Sequence, residues 1–277
     1  MPGHRRGAHD GDMLAAEIMD YYRAGGERSR LATGAGLLEY LRTWDVLTRA
    51  LPPAPADVLD VGGATGVYAG PLTEAGYRVR VVDPVPEHVA DAGARPGVTA
   101  TLGDARALPA VDHSADAVLL LGPLYHLPVR AERLAAWREA ARVLRPGGVA
   151  VGALISRYSG LLDGLMRGFI HDPSFRRIVD ETLASGEHRN LDGGSKWFTT
   201  AYFHHPDEVS GEVTEAGLHL ERLVSTESPL WMARDSLNDL LADPADRERI
   251  LDTLRRIEDE PSLLGASSHL LAIARRS

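Results

Sequence analysis

The sequence predicts an α/β fold in which helices cover both faces of a seven-stranded, mostly parallel sheet with an antiparallel last strand. Three observations support this prediction. Short apolar runs alternate with segments of helical periodicity over residues 53–156, as in strands joined by crossover helices. A glycine-rich turn follows the first of these strands in "VLDVGGATGVYAG", residues 58–70. The alternation then stops after the fifth strand and resumes near Pro206, which predicts a cap insertion after that strand.

The individual elements follow from periodicity and from their flanking residues. Apolar runs predict seven strands, at residues 58–61, 77–83, 97–104, 115–122, 149–156, 218–227 and 268–276. Helical spacing predicts helices at residues 13–22, 36–51, 67–76, 86–92, 131–144, about 175–184, from 206 onwards, and within 235–258. Pro52 and Pro53 close the second helix, and Pro206 with two acidic residues opens the helix after the cap.

These elements divide the chain into five parts. Residues 1–12 are polar and glycine-rich, which predicts a disordered tail. Residues 13–52 are predicted to form an N-terminal helical lid and residues 53–156 the nucleotide-binding core. Residues 157–203 would form the cap, which covers the substrate. Residues 204–277 then complete the core and add a helical extension.

Composition narrows the class of protein. The chain has 277 residues, 44% of them hydrophobic, a net charge of −9 and a pI of about 5.7. This acidic balance argues against nucleic acid and anionic membranes as partners. The absence of cysteine excludes disulfides and thiolate chemistry. No apolar run reaches transmembrane length, and Arg5 and Arg6 precede no apolar stretch that would make an export signal. We therefore expect a cytoplasmic protein, monomeric or homodimeric.

The glycine turn predicts a nucleotide site. Its backbone is released by three glycines, Gly62, Gly63 and Gly66. Carboxylates stand at the ends of the first three predicted strands, at Asp60, Asp83 and Asp104. Because parallel strands end at one edge of the sheet, these groups are expected to face the crevice that the turn opens. A carboxylate at Asp83, directly before Pro84, is well placed to accept hydrogen bonds from ribose hydroxyls.

Five ordered segments resemble class I S-adenosylmethionine-dependent methyltransferases. They are "VLDVGGATG", "VVD", "GDA", "DAVLLLGPLYHL" and "EAARVLRPGG". The resemblance is close over residues 56–156 and points to a Rossmann-like, small-molecule type with a methyltransferase-11/25-like domain and a cap. Ala64 stands where the family more often carries glycine. A methyl group there predicts a slightly altered turn with binding retained.

The resemblance implies S-adenosyl-L-methionine as the methyl donor and S-adenosyl-L-homocysteine as the product. The glycine turn would pass beside the methionine part and the ribose. Asp60 would order the turn or contact the methionyl ammonium, and Asp83 would bind the ribose. Asp104 and the Ala105 amide would read adenine, and the backbone at Leu121 would face the sulfonium.

The N-terminal region would add Tyr22 and Arg42, since basic and aromatic residues of this region hold the methionine carboxylate in relatives. Simpler interpretations stay open. Asp60 and Asp104 would also suit caps of nearby turns, and Arg42 lies one helical turn from Glu39, which suits a surface salt bridge.

The methyl acceptor is expected beyond the fourth strand. Tyr125 and His126 follow that strand and are placed to meet the acceptor, so both are catalytic candidates. A histidine suits the role of general base, although His126 could also merely shape its loop. His204, in the cap-proximal "FTTAYFHHP", is the alternative base and is expected in the pocket. Tyr202 and Phe203 could wall the pocket, but packing of the cap on the sheet is the favoured interpretation for both.

Together these features predict methyl transfer to an N or O atom of a small molecule in specialised metabolism, with a C atom as the less favoured assignment. Two alternatives remain: a nucleotide-dependent oxidoreductase, and a catalytically silent S-adenosylmethionine-binding regulatory module. Adjacent His204 and His205 are too close in sequence for an i, i+4 metal pair, so no metal site is predicted.

Overall fold

The computed structural model describes residues 30–190, 197–234 and 236–277. The predicted tail at residues 1–12, the helix at 13–22 and Tyr22 lie outside these described residues.

The described residues form strands and helices in the predicted alternation. The strands are β1 (Asp57–Val61), β2 (Arg78–Asp83), β3 (Val98–Leu102), β4 (Ala115–Leu120), β5 (Leu144–Ser156), β6 (Glu187–His188), β7 (Ala201–His204), β8 (His219–Ser225) and β9 (His269–Arg275). The α-helices are α1 (Gly34–Ala50), α2 (Ala69–Glu74), α3 (Pro86–Gly93), α4 (Arg130–Val143), α5 (Ser159–Arg167), α6 (Pro173–Ser185), α7 (Pro206–Glu215), α8 (Ser236–Ala242), α9 (Pro244–Arg255) and α10 (Pro261–Leu264). Within the described ranges, no helix combines the length and the apolar character needed to cross a membrane.

The sheet confirms the predicted architecture. Strands β3, β2, β1, β4 and β5 lie side by side in that order and run parallel. Strand β9 pairs antiparallel with β5, and β8 pairs antiparallel with β9. The strand order reverses between β1 and β4, so the loops after these two strands diverge and leave a crevice at the carboxyl edge of the sheet. Because β9 is antiparallel, its first residue also lies at that edge.

The insertion after β5 contributes more structure than its sequence predicted. Strand β5 extends past the end of β4, and β7 pairs in parallel with its last residues, Ile155 and Ser156. Strand β6 pairs antiparallel with β7, so the described sheet has nine strands, two more than predicted. These two strands are four and two residues long, too short to show an alternation in sequence.

The junction between α4 and β5 also differs from the prediction. Strand β5 begins at Leu144, five residues before the expected start at Val149. Leu144 pairs with Ala115 and Val149 pairs with Ala117, so the "RPGG" segment bulges out between them. The proline and the two glycines therefore end the helix without ending the pairing of β5 with β4.

Helices on both faces bury the central strands. Trp137 of α4 is 1% exposed and packs over β5, where a Cβ at Gly152 would lie 2.5 Å from the indole. On the opposite face, Leu47 of α1 belongs to the cluster that includes Val79 and Val151. Strands buried on both faces read as continuous apolar runs, which is why the core strands were predictable.

Candidate active site

The turn after β1 has the backbone conformation that its glycines predict. Gly62 and Gly66 have φ of 68° and 76°, in the left-handed region. The Gly62 N–H donates to the carbonyl of Val82 at 2.7 Å and ties the turn to β2. Ala64 also has a positive φ, 47°, which explains why glycine is common at this position in the resembling family. Ala64 therefore carries the conformational cost of a methyl group in this region, and the predicted slight alteration of the turn stays a prediction.

Asp83 fixes the same turn from the end of β2. Its carboxylate, 3% exposed as a residue, accepts the N–H of Ala64 at Oδ2 and the N–H of Val85 at Oδ1, both at 2.9 Å. The Nδ1 of His88 lies 3.1 Å from Oδ1. Asp83 therefore joins two loops at the crevice, and its binding to a ribose stays a prediction.

Asp60 is the unusual group of this region. The residue is 1% exposed, and neither carboxylate oxygen has a hydrogen-bond partner among the described residues. A Cβ at Gly63 would lie 2.5 Å from its Oδ2, so only glycine fits above it. Burial and the charge of Asp83 raise the pKa of Asp60 to about 7. A cationic group bound beside this carboxylate would relieve its desolvation, so Asp60 fits the methionyl ammonium of the implied donor.

The third carboxylate is already engaged. Both oxygens of Asp104 accept hydrogen bonds from the side chain of Arg106, at 2.9 and 2.6 Å. Burial acts to raise the pKa of Asp104, but the hydrogen bonds from Arg106 outweigh burial and lower this pKa. Ala105, next to Asp104, is buried. At the end of β4, the Leu121 carbonyl accepts a hydrogen bond from the Tyr125 hydroxyl at 3.3 Å. The adenine and sulfonium contacts predicted for these residues stay predictions.

A cavity of about 560 Å³ lies beyond the carboxyl ends of the strands, between α1 and the insertion. One part of its wall is aromatic and includes Tyr125, Phe175, Trp197, Phe198, Phe203 and Trp231. Another part is charged and includes Arg30, Glu39, Asp163, Glu227, Arg234 and His269. The loop after β4 connects this cavity with the glycine turn, because a Cβ at Gly122 would lie 3.1 Å from the Gly62 carbonyl and 3.9 Å from the Tyr125 hydroxyl. Donor crevice and cavity therefore adjoin.

His126 lies beside the cavity wall. Its ring contacts Tyr125 edge-on at 4.6 Å between centroids and stacks on Phe198 at 5.9 Å. Burial lowers the pKa of His126 to about 4, against a hydrogen bond with the backbone of Thr200. The ring is neutral at physiological pH but is a weak base, so it fits a shaping role at least as well as general base catalysis.

The expectation that His204 lies in the pocket is wrong. His204 is fully buried on the other face of β7, where Nε2 lies 3.5 Å from Oε2 of Glu212. Side chains alternate along a strand, so Phe203 faces the cavity while its two neighbours face α7. The Arg133 guanidinium lies 3.5 Å from the centre of the Tyr202 ring on that face. Burial lowers the pKa of His204, which removes it as a base for the acceptor.

The structure also does not support the predicted role of Arg42 in holding the methionine carboxylate. Its guanidinium is fully buried and pairs with Asp45 and with Glu258, while Nε donates to the Thr226 carbonyl at 3.1 Å. The expected surface salt bridge with Glu39 is absent from the described structure, because Glu39 pairs with Arg30 instead. All three donor nitrogens of Arg42 have protein partners. The residue therefore anchors α1 to the C-terminal part of the core, and the structure gives no support to its binding the cofactor.

Two functional candidates were missed in the sequence, Glu227 and His269. His269 opens β9, Glu227 lies two residues after β8, and Nδ1 of the histidine is 2.6 Å from Oε1 of the glutamate. Glu39 Oε2 lies 3.6 Å from the same Nδ1. The signal was available in part, because an antiparallel last strand must begin at the edge where the parallel strands end. The contact of Glu227 and His269 with Glu39 of α1 could not be predicted from the sequence.

Glu39, Glu227 and His269 are also the group of potential metal ligands that the described residues contain, with ligand atoms within 4.8 Å of one another. Within the group, Arg30 already pairs with Glu39, and the His269 ring pairs with Glu227. These internal pairs satisfy the carboxylates without an ion. A metal-free site stays a prediction.

Backbone strain concentrates around the glycine turn and the cavity. Five non-glycine residues of the described ranges have positive φ. Ala64 lies in the glycine turn, Phe198 and Arg234 line the cavity, and Ser228 follows Glu227. Such conformations cost about 1–3 kcal/mol each and persist where the surroundings impose them, most often at functional sites.

Comparison with known proteins agrees with this geometry. Residues 59–152 match a family described as a methyltransferase domain. An uncharacterised methyltransferase of Mycobacterium tuberculosis is 43% identical over 100 residues, which is 35% of this chain and 39% of that protein. The chain therefore spans well under half the length of this curated relative.

Solved structures extend the likeness over the whole fold. A structure from Thermotoga maritima described as a possible histamine N-methyltransferase superposes with a TM-score of 0.57 at 18% identity, over 95% of this chain and 99% of that one. The [4+2]-cyclase SpnF superposes with a TM-score of 0.52 at 19% identity, over 86% and 80% of the two chains. These likenesses show a shared fold.

The described fold is thus the Rossmann-like fold seen in solved structures of S-adenosylmethionine-dependent methyltransferases. The match to a family model is confined to the core: residues 59–152, which run from β1 into β5, are similar to a methyltransferase domain.

Proposed function

We propose that the protein transfers a methyl group from S-adenosylmethionine to an N or O atom of a small molecule bound in the cavity; a C atom is the less favoured assignment. One observation carries the proposal: the buried, unpartnered carboxylate of Asp60 lies under the glycine turn. That turn contacts the loop that lines the cavity. Cation site and acceptor site are therefore adjacent, as the reaction requires.

The donor would be held by groups already described. Asp60 would bind the methionyl ammonium, Asp83 the ribose hydroxyls and the Gly62 turn the methionine part. Ala105 and Leu121 would contribute backbone groups at the adenine and the sulfonium. When bound, the sulfonium supplies an electrophilic methyl carbon. The chain has to hold donor and acceptor in line, and such positioning can account for most of the acceleration.

The cavity supports a small acceptor. Its volume of about 560 Å³ falls within the range of drug-sized ligands. The net charge of −9 supports the absence of nucleic acid as a partner. We further propose a metal-free cytoplasmic enzyme, monomeric or homodimeric, that acts in specialised metabolism.

Two other functions compete with this proposal. In an oxidoreductase the turn would bind a nicotinamide dinucleotide, but its Gly-x-Ala spacing departs from the dinucleotide pattern. A module without methyl transfer is the other candidate, and the fold shared with the [4+2]-cyclase SpnF shows that this architecture also serves other chemistry. The Asp60 site favours a ligand that carries a cation, which fits the methyl donor better than a dinucleotide.

Calorimetry on two aspartate variants tests the proposal. S-adenosylmethionine should bind with a micromolar Kd, about −8 kcal/mol, and NAD should give no heat. Asp60→Asn should weaken this binding at least tenfold, because a charge-assisted hydrogen bond contributes roughly 1.5–3 kcal/mol. The unliganded variant should be no less stable than the wild type, since it removes a buried, unpaired carboxylate.

Asp57→Asn is the matched control. Asp57 lies at the other end of β1 and pairs with Arg78 at the surface, so its replacement should leave the Kd within twofold. An Asp60→Asn variant that binds the donor normally would contradict the assignment of the ammonium site. Binding of NAD without any binding of S-adenosylmethionine would favour the oxidoreductase.

A further inference from the structure

We infer that His269, held by Glu227, is the general base of the cavity and takes the proton from a hydroxyl group of an aromatic acceptor. The inference rests on the proposed methyl transfer and adds to it a base and an acceptor class.

The Glu227 carboxylate holds the imidazole in one orientation. Glu227 is 1% exposed, and its Oε2 accepts the Ser267 hydroxyl at 2.9 Å and the His269 N–H at 3.0 Å. Its Oε1 lies 2.6 Å from Nδ1 of His269. A carboxylate at Nδ1 places the ring proton there, so Nε2 is the nitrogen that accepts a proton. Nε2 has no hydrogen-bond partner among the described residues, and the side chain, 20% exposed, lines the cavity.

Charges on three elements set the basicity of this ring. Glu227 follows β8, Glu39 belongs to α1, and Arg30 precedes α1 and pairs with Glu39. Burial acts to lower the pKa of His269 and Arg30 adds to this, but the two carboxylates outweigh both and raise the pKa to about 8. A phenolic hydroxyl has a pKa of about 10, and catalysis is efficient when base and acid are this close.

The other histidines near the cavity are less suited. His126 is too weak a base at a pKa of about 4. His188 lines the cavity, but its Nε2 lies 2.8 Å from the Trp197 carbonyl and its Nδ1 lies 3.4 Å from the Thr182 hydroxyl. Both of its ring nitrogens are therefore engaged.

The aromatic side chains of the cavity wall favour an acceptor whose hydroxyl group is attached to an aromatic ring. Phe198, Phe203 and Trp231 line the same cavity as His269. The Trp231 Nε1–H donates to the Ala266 carbonyl at 2.9 Å, which fixes its ring close to the start of β9. Rings of this kind pack favourably against another aromatic ring. A base and an aromatic wall in one cavity fit an aryl hydroxyl.

The step balances without a further reagent. As the hydroxyl proton passes to Nε2 of His269, the oxygen forms a bond with the methyl carbon of S-adenosylmethionine. The carbon–sulfur bond breaks and its electron pair stays on sulfur. The products are an aryl methyl ether, S-adenosylhomocysteine and an imidazolium that returns its proton to water.

The first experiment measures the base directly and needs no acceptor. Titration by nitrogen-15 NMR should give His269 a pKa near 8 in the wild-type protein. Glu227→Gln should lower this pKa by at least one unit. A value at or below 6.5 in the wild type, or no response to Glu227→Gln, would overturn the dyad.

The second experiment measures chemistry with two matched probes, 4-propylphenol and 4-propylaniline. In the presence of S-adenosylmethionine, mass spectrometry should detect the methyl ether of the phenol, and the rate should rise with pH to a plateau above about 8. His269→Gln should lower kcat at least 100-fold and leave the Kd of S-adenosylmethionine within twofold. Glu227→Gln should move the rise to lower pH. His219→Gln, at the exposed start of the neighbouring strand β8, should match the wild type.

The outcomes separate the two proposals. Failure of S-adenosylmethionine to bind would overturn the proposed function. If it binds, methylation of the aniline alone or of neither probe would overturn the acceptor class. A His269→Gln variant within threefold of the wild type would overturn the base. Loss of phenol methylation with EDTA, restored by Mg²⁺ or Zn²⁺, would also overturn it and identify Glu39, Glu227 and His269 as a metal site.

Discussion

At the scale of single residues, Ala64 shows how the nucleotide turn tolerates a departure from glycine. Its φ of 47° is unfavourable for a residue with a Cβ. Its N–H nevertheless donates to the buried carboxylate of Asp83 at 2.9 Å. This hydrogen bond and the tie from Gly62 to β2 hold the turn in place. The turn therefore keeps the methyl group of Ala64 at a conformational cost.

A pair of substitutions tests this account of Ala64. Ala64→Gly should stay within about 1 kcal/mol of the wild type in unfolding free energy, because relief of strain offsets the added backbone entropy. Ala64→Val should lose roughly 1–3 kcal/mol and bind S-adenosylmethionine at least tenfold more weakly, since a β-branched residue resists positive φ. Urea unfolding and calorimetry provide the two measurements. Equal behaviour of the two variants would show that the turn is not strained at this position.

At the scale of elements, helix α1 is joined to the core by charge as well as by apolar contact. Leu38 packs with Leu237, Leu241 and Leu254, while Arg42 pairs with Asp45 and Glu258. The pairs of Arg42 are buried, which makes them expensive to break from one side. The helix that carries Glu39 into the cavity is thereby fixed against the C-terminal part of the chain.

Arg42→Met should lower the unfolding free energy by about 3–5 kcal/mol, because it leaves two carboxylates without their buried partner. Arg49→Met is the matched control, since Arg49 pairs with the same two carboxylates but its side chain is 36% exposed. Its cost should be about 1 kcal/mol. The Kd of S-adenosylmethionine should be unchanged for folded Arg42→Met. Loss of binding without loss of stability would instead restore Arg42 to the cofactor site.

Strand β7 illustrates the limit of prediction for an element. The segment "FTTAYFHHP" contains aromatic and histidine side chains, but its sequence does not indicate which of them face the cavity. Pairing with β5 fixed the register, with Phe203 opposite Ile155 and His204 opposite Ser156. A shift of one residue would have reversed the faces. The placement of His204 against Glu212 therefore depended on the register of a contact outside its own segment.

At the scale of the whole molecule, His126 and His269 give stability opposite dependences on pH. The folded pKa of His126 is about 4, below the ordinary value of 6.5, so folding favours the neutral ring. Its contribution is complete above pH 6.5 and is lost as the pH falls to 4. The folded pKa of His269 is about 8, so its contribution is complete below pH 6.5 and is lost as the pH rises through 8.

Difference curves between variants test these opposite signs. The stability difference between wild type and His126→Gln should grow by about 3 kcal/mol as the pH rises from 4 to 6.5 and then stay flat. The difference for His269→Gln should shrink by about 2 kcal/mol between pH 6.5 and 9. Urea unfolding at closely spaced pH values measures both curves. Two curves with the same sign of slope would contradict the assigned protonation states.

The sequence by itself determined the parallel core strands, the glycine turn and the order of the core elements. These features are local: a buried parallel strand needs a run of apolar residues, and a tight turn needs glycine within a few positions. Asp60 and Asp83 were identified for the same reason, because a strand end can be recognised from its own residues.

Tertiary structure alone decided which polar groups meet. Arg42 pairs with Glu258 and not with Glu39, and His269 lies beside Glu227 and Glu39, across separations of up to 230 residues. The sequence around an ionisable side chain does not identify its partner. The partner depends on which charged groups the packed elements bring within about 4 Å of each other. The pKa of His269 follows from that meeting, since two carboxylates from different elements outweigh the burial of its ring.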